Sequence, residues 1–252
     1  MTQAVQAEKG GLVISVKDLK KVYAIGDERT IALNGVNLEV ERGEVVCIVG
    51  RSGSGKSTLL NMLAGLEKPT SGQVIVAGKH IEKLSEGALV KFRLAHVGFI
   101  FQAYDLFPYY TAVENVAVPL IYRGVPKKKR NKMAEKLLCE MGLKDHLKHK
   151  PTQMSGGQQQ RVGIARALVA KPDIIFADEP TGNLDSNTSD EVLRLMIKMV
   201  KDNNFTLVMV THDPTVAKCA DRVISILDGK IISDTKYDTN SALQEEKENE
   251  QV

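Results

Sequence analysis

Tryptophan is absent from the 252 residues, and cysteine is scarce. Cys47, Cys139 and Cys219 are odd in number, widely spaced and never paired as CxxC. That usage excludes a disulfide framework and a thiolate zinc site, and it fits a reducing compartment. No apolar run approaches the roughly 20 residues that a membrane-spanning helix needs, so the chain is not expected to cross a bilayer itself. The opening MTQAVQAEKGG lacks the charged-then-apolar order of a secretory signal, so a cytosolic protein is expected. Internal repeats are also missing. The length suffices for one large domain or two lobes sharing a core.

A strong overall charge is missing too, but the charge present is unevenly placed. The formal net is +3, while the final stretch DTNSALQEEKENEQV sets Asp238, Glu245, Glu246, Glu248 and Glu250 against Lys247 alone. The −4 of this stretch leaves +7 on the body, which suits an anionic ligand, an anionic membrane surface or simply an ordinary lysine-bearing exterior. Residues 237–252 are expected to form a disordered acidic tail, behind a single domain spanning 1–236.

Short β-branched runs alternate with glycine-rich turns and helical patterns. Val45–Val49 reads as a buried strand, followed by a glycine loop and a helix over Lys56–Leu66. Ile174–Ala177 and Leu207–Val210 are two more buried strands, with an amphipathic helix near Ser189–Asp202 between them. Near-continuous apolar strands separated by helices predict an α/β fold with a mostly parallel sheet covered on both faces. Arg222–Leu227 and Lys230–Ser233 flank Asp228-Gly229, a hairpin signal. Leu12–Val16 and Ile31–Val40 alternate in the same antiparallel style. Between Gln102 and Gln153 helices take over, at Thr111–Tyr122 and after Pro126. The run Lys127–Arg130 reads as the solvated first turn of that second helix rather than a nucleic-acid patch. The layout predicts a core of 1–102 and 159–236 with a helical subdomain at about 103–158.

GRSGSGKST, Gly50 to Thr58, matches G-x-x-x-x-G-K-[ST] with a strand before it and a helix after it. Glycines let backbone N–H groups wrap a phosphate where a Cβ would obstruct them, and the helix N-terminus adds positive potential. The loop therefore offers Gly50, Ser52, Gly53, Ser54, Gly55, Lys56, Ser57 and Thr58 to a bound phosphate chain, which the family resemblance given below implies to be that of ATP. Lys56 can reach the β- and γ-phosphates, and Ser57 can reach Mg²⁺. The strand IIFADE ends in two carboxylates. Asp178 is placed to hold Mg²⁺, and Glu179, one residue on, to take a proton from an attacking water. His212, at the end of LVMVTHD, and Gln102, at the end of VGFIFQ, can face the γ-phosphate, the metal or that water.

Together these stretches resemble the ATP-binding subunits of ATP-binding-cassette (ABC) transporters over roughly Val13 to Ser233. GRSGSGKST resembles the Walker A loop, IIFADEP the Walker B strand, Gln102 the Q-loop glutamine, Asn183-Leu184-Asp185 the D-loop and His212 the switch histidine. MSGGQ, from Met154 to Gln158, is similar to the LSGGQ signature, with a volume-conserving Met for Leu. The resemblance implies a P-loop NTPase (RecA-like) core with an antiparallel β subdomain and an α-helical subdomain. It also implies active ATP hydrolysis and an adenine stacked on Tyr23. In this family two copies pack head to tail around two ATP, so Ser155, Gly157 and Gln158 of one copy would meet the phosphate held by the other's Lys56.

The stretches FQAYDLFPYYTAVENVAVPL, MSGGQQQRV and ADEPTGNLDS resemble the macrolide-exporter and lipoprotein-release group. That implies a homodimer working with an integral membrane permease on a separate polypeptide, at the cytoplasmic face of a bacterial inner membrane. An alternative is transmembrane signalling in cell division or cell-wall hydrolase regulation. Roles on nucleic acid are disfavoured, because there is neither a coiled-coil insertion nor a lysine-rich stripe with interleaved aromatics. A small-molecule kinase is disfavoured by Glu179 and the signature. Six of the twelve aromatics (Phe99, Phe101, Tyr104, Phe107, Tyr109, Tyr110) crowd into twelve positions. The stretch from Tyr104 to Tyr110 either helps form a groove for a helix of the membrane subunit or packs the helical lobe on the core.

Overall fold

The structure, a computed structural model, describes residues 11–26 and 28–237. The tail expected over 237–252 lies outside them except for Tyr237. Two sheets organise the chain. The smaller is antiparallel, ordered β2-β1-β4-β5, from β1 (Leu12–Ile25), β2 (Glu28–Glu41), β4 (Ser71–Val76) and β5 (Lys79–His80). The larger runs β10-β9-β3-β8-β7-β6, from β3 (Val45–Val49), β6 (Val97–Ile100), β7 (Ile174–Asp178), β8 (Thr206–Thr211), β9 (Arg222–Leu227) and β10 (Lys230–Lys236). Every neighbouring pair in it is parallel except the β9–β10 hairpin.

The apolar runs explain this architecture. Side chains alternate across a strand, so a continuous apolar strand feeds two cores. Val45, Cys47, Ile175, Ala177, Leu207 and Met209 join the core beneath α3–α6. Val46, Ile48, Ile174, Phe176, Val208 and Val210 join the other, with the antiparallel sheet, α1 and α2. The helices are α1 (Lys56–Leu63), α2 (Glu86–His96), α3 (Ala112–Tyr122), α4 (Lys127–Glu140), α5 (Gly156–Leu168), α6 (Ser186–Asp202) and α7 (Pro214–Ala217).

Several boundaries differ from the sequence expectation, each for a local reason. α1 stops at Leu63, three residues early, because Gly65 takes φ +64° and the amide of Leu66 returns to Asn61 O. α5, expected over Gln158–Ala170, begins two residues earlier at Gly156, because Ser155 caps it and closes a box with Gln158. The subdomain boundary expected at 158/159 therefore falls within one helix. α6 begins at Ser186, where Asp185 accepts from the Thr188 amide. α2 had no expectation. It has a weak apolar stripe but a serine cap, Ser85 accepting from Ala88. Lys127, Lys128 and Lys129 are exposed, in the first turn of α4.

Candidate active site

The loop between β3 and α1 wraps on itself because its glycines permit it. Gly53 and Gly55 have φ of +78° and +102°, and a Cβ on Gly55 would stand 2.4 Å from Ala32 O. A Cβ on Gly50 would stand 2.4 Å from Ile226 O and 2.6 Å from Ser54 Oγ, so that position too admits only glycine. Lys56 is almost fully buried, and its ammonium donates to the carbonyls of Gly50 (2.8 Å) and Arg51 (3.0 Å). Ser54 Oγ is buried with no hydrogen-bond partner. A cavity of about 570 Å³ opens over the loop, lined by Thr30, Ile31 and Ala32 of β2, by Ser52, Gly53, Gly55, Lys56, Ser57 and Thr58, and by Glu179 and His212. A positive-φ cradle, a buried ammonium held only by its own loop and an unsatisfied hydroxyl fit a polyphosphate.

The carboxylates arrive from β7, which lies parallel to β8 and brings Asp178 opposite Val210. Asp178 Oδ1 is 3.4 Å from Ser57 Oγ. Burial raises the Asp178 carboxyl above its ordinary range; the Ser57 hydrogen bond opposes the rise, the neighbouring Glu179 charge adds to it, and Lys56 opposes it. Two adjacent acids beside a hydroxyl form an all-oxygen set that suits a hard divalent cation such as Mg²⁺. Glu179 itself sits at φ +44°, in the left-handed region, with its amide donating to Val210 O (3.0 Å). Its Oε2 accepts from Thr211 Oγ1 at 3.0 Å, and its Oε1 lies 2.9 Å from His212 Nδ1. Thr211 escaped the sequence reading, since its only signal is adjacency to His212.

Other expected residues stand at the rim or beyond it. Tyr23 is not in the cavity lining, although Thr58 influences its hydroxyl. That hydroxyl donates to Glu67 Oε2 (2.8 Å), and Lys21 Nζ lies 4.9 Å from the ring centroid. Gln102 is turned to the D-loop, donating to Asn183 Oδ1 (3.2 Å) and accepting at its carbonyl from Asn183 Nδ2 (3.0 Å). Ser155, Gly157 and Gln158 are likewise not among the residues lining the cavity. Gly157 is packed so closely that an added Cβ would stand 2.4 Å from Thr188 Cγ2. Gln160, in the same helix, was also missed: it is fully buried, and its amide donates to Phe101 O and Pro180 O, joining the segments that precede Gln102 and follow Glu179.

Strand, glycine loop and helix under a sheet of this order define a P-loop nucleotide-binding domain of the ABC ATPase type. Residues 33–182 match the family model described as ABC transporter, and the chain belongs to that family. It is 49% identical over 228 residues to the macrolide export ATP-binding/permease protein MacB of Pasteurella multocida, covering 90% of this chain and 35% of that protein. The MacB of Vibrio parahaemolyticus is 49% identical over 224 residues, 89% of this chain and 34% of the relative. The chain thus spans about a third of the length of these relatives. A dimeric structure of the ATP-binding cassette MJ0796, in a post-hydrolysis state bound to ADP and Pi, superposes with a TM-score of 0.81 at 42% identity. It covers 88% of this chain and 98% of that one, and a second dimeric MJ0796 structure matches equally at 43% identity. The cassette fold and ATPase class inferred from the motifs therefore hold. Among the described residues, no helix is long and apolar enough to cross a membrane.

Proposed function

We propose that two copies of this chain close head to tail around two ATP and Mg²⁺, and so drive a membrane permease on a separate polypeptide, in an export complex of the macrolide-export or lipoprotein-release kind. The chain would act as one domain through residue 236, with a helical lobe at about 103–158, at the cytoplasmic face of a bacterial inner membrane. One observation carries the reading. The cavity is lined by the phosphate loop, Glu179 and His212, while the serine-capped signature helix stands apart from it. A nucleotide bound there would keep one side uncovered, which a second copy's Ser155, Gly157 and Gln158 can cover.

In this reading Lys56 exchanges the Gly50 and Arg51 carbonyls for phosphate oxygens, and the backbone N–H groups of 52–58 hold the remainder. Mg²⁺, held by Ser57 and Asp178 with Gln102 turned toward it from Asn183, would neutralise phosphate charge. Glu179, its carboxylate fixed by Thr211 and His212, takes the proton of the attacking water as general base. Tyr23, its hydroxyl tied to Glu67, supplies a flat face beside Thr58 for adenine.

The permease site is an apolar groove of about 400 Å³ lined by Leu66, Val90, Phe99, Phe101, Val118 and Tyr122, among others. It takes in Phe99 and Phe101 of the aromatic cluster, while Phe107, Tyr109 and Tyr110 stand exposed outside its lining. The Phe107 backbone is fixed by Asn115, whose side chain binds its amide and carbonyl, and the ring is left exposed. The test is Glu179→Gln: ATP binding should persist and trap a dimer visible by light scattering, with hydrolysis lost. A chain that stays monomeric in ATP, or that turns over undiminished, refutes the assignment.

A further inference from the structure

The signature box is wired to a feature that none of the catalytic motifs contains. Ser155 caps α5, accepting from the Gln158 amide at 3.3 Å, and Gln158 Oε1 accepts in return from the Ser155 amide at 2.9 Å. The Gln158 carboxamide is held from its far side as well: its Nε2 lies 3.1 Å from His146 Nε2, and His146 Nδ1 lies 2.8 Å from His149 Nδ1. Because Gln158 Oε1 is engaged by a backbone N–H, the amide nitrogen must face His146 and donate. His146 Nε2 is then the acceptor, so the ring carries its hydrogen on Nδ1 and gives it to His149 Nδ1. One direction of donation, Gln158 to His146 to His149, accounts for both ring contacts.

The imidazoles are anchored in turn. His146 ends a short turn over Lys144–His146, and the carbonyls of Leu147 and His149 accept from the amides of Val113 and Ala112, the first residues of α3. The rings lie 4.8 Å apart, tilted by 54°. The segment carrying both rings is thus fixed to α3 through Leu147 and His149, and half-buried His146 within it sets the rotamer of the glutamine that closes the box around Ser155.

We infer that His146 is a positioning residue for the signature: by accepting from Gln158 Nε2 it holds the carboxamide that orients Ser155 toward the nucleotide of the opposing copy. The inference rests on the proposed reading that Ser155 meets that nucleotide. The test is ATP-dependent dimerisation of the full chain in the Glu179→Gln background, measured by sedimentation, beside nucleotide titration of the monomer. His146→Leu removes the acceptor and should weaken dimerisation roughly three- to tenfold, the loss of one hydrogen bond. His146→Gln places an amide oxygen near the position of Nε2 and should restore it. Monomer nucleotide affinity should be unchanged in both. If both variants are impaired alike, His146 merely packs, and if neither is impaired it does nothing here; each result overturns the inference. Ser155→Ala separates the two levels. If it leaves dimerisation intact, the signature reading fails and takes this inference with it. If it disrupts dimerisation while His146→Leu does not, the inference alone fails.

Discussion

Burial lifts the Asp178 carboxyl, and Glu179 beside it adds to the rise that Ser57 and Lys56 only partly offset. An acid whose folded value is raised binds its proton more tightly in the folded chain. Its ionisation therefore costs stability as pH climbs from the ordinary carboxylate range through the folded value. Asp178→Asn deletes that cost. The thermal midpoint of the nucleotide-free chain should rise at neutral pH, and the gain should shrink to nothing in acid, where both side chains are uncharged. ATP turnover with Mg²⁺ should meanwhile fall by roughly 10- to 100-fold, as for loss of a group that holds a metal through water. A lower midpoint at neutral pH would contradict the account of this site. Residues of this kind were legible in the sequence because the loop motif and the acidic strand end are local patterns. Their supports were not. Thr211 reaches Glu179 across 32 positions, Asn183 reaches Gln102 across 81, and Gln160 reaches Phe101 across 59, distances that no local pattern spans.

At the scale of elements, the β9–β10 hairpin shows how a correctly read piece can hide its purpose. Asp228 and Gly229 take φ of +47° and +73°, the two-residue turn that the dipeptide announces. Arg222 grips Asp234 through two hydrogen bonds of 2.6 Å, and that guanidinium holds the Asp234 carboxyl below its usual range. The sequence did not say where the turn lands. The Gly229 amide donates to Ser54 O (3.0 Å), inside the phosphate loop, and the Gly229 carbonyl accepts from Asn34 (2.9 Å) on β2. A Cβ there would stand 2.7 Å from Ala32 O. Gly229→Ala should therefore cost about 1–3 kcal/mol through strained backbone alone, and it should also weaken nucleotide binding by displacing the loop. Chemical denaturation and nucleotide titration read the two effects. Unchanged affinity with reduced stability would confine the hairpin to a structural role. Helix ends were the least legible elements, because Gly65, Ser155 and Asp185 each decide a boundary by one local hydrogen bond or one positive φ.

For the whole molecule, sharing the site between copies makes a sharper forecast than any single substitution. A mixed dimer with Lys56→Ala in one copy and Ser155→Ala in the other confines both lesions to one site if the signature serves the opposing nucleotide. Nucleotide binding and turnover near those of one good site are then expected. If Ser155 acts on its own chain's ATP, each site carries one lesion and neither site survives intact. The proposed export role depends on a permease and on an apolar groove rather than on any catalytic group.

The outer strand of the large sheet bears on how such copies can separate again. β10 is an edge, and it presents Lys230, Asp234 and Lys236 along its length. Charges on an exposed edge discourage a second molecule from continuing the hydrogen-bond ladder. Copies meeting by strand addition would zip into a continuous sheet that no single bond cleavage could reopen. With that edge guarded, the proposed head-to-tail association would rest on the loops around the nucleotide. A contact built there would dissolve when a phosphate leaves, and the proposed assembly would then cycle instead of polymerising.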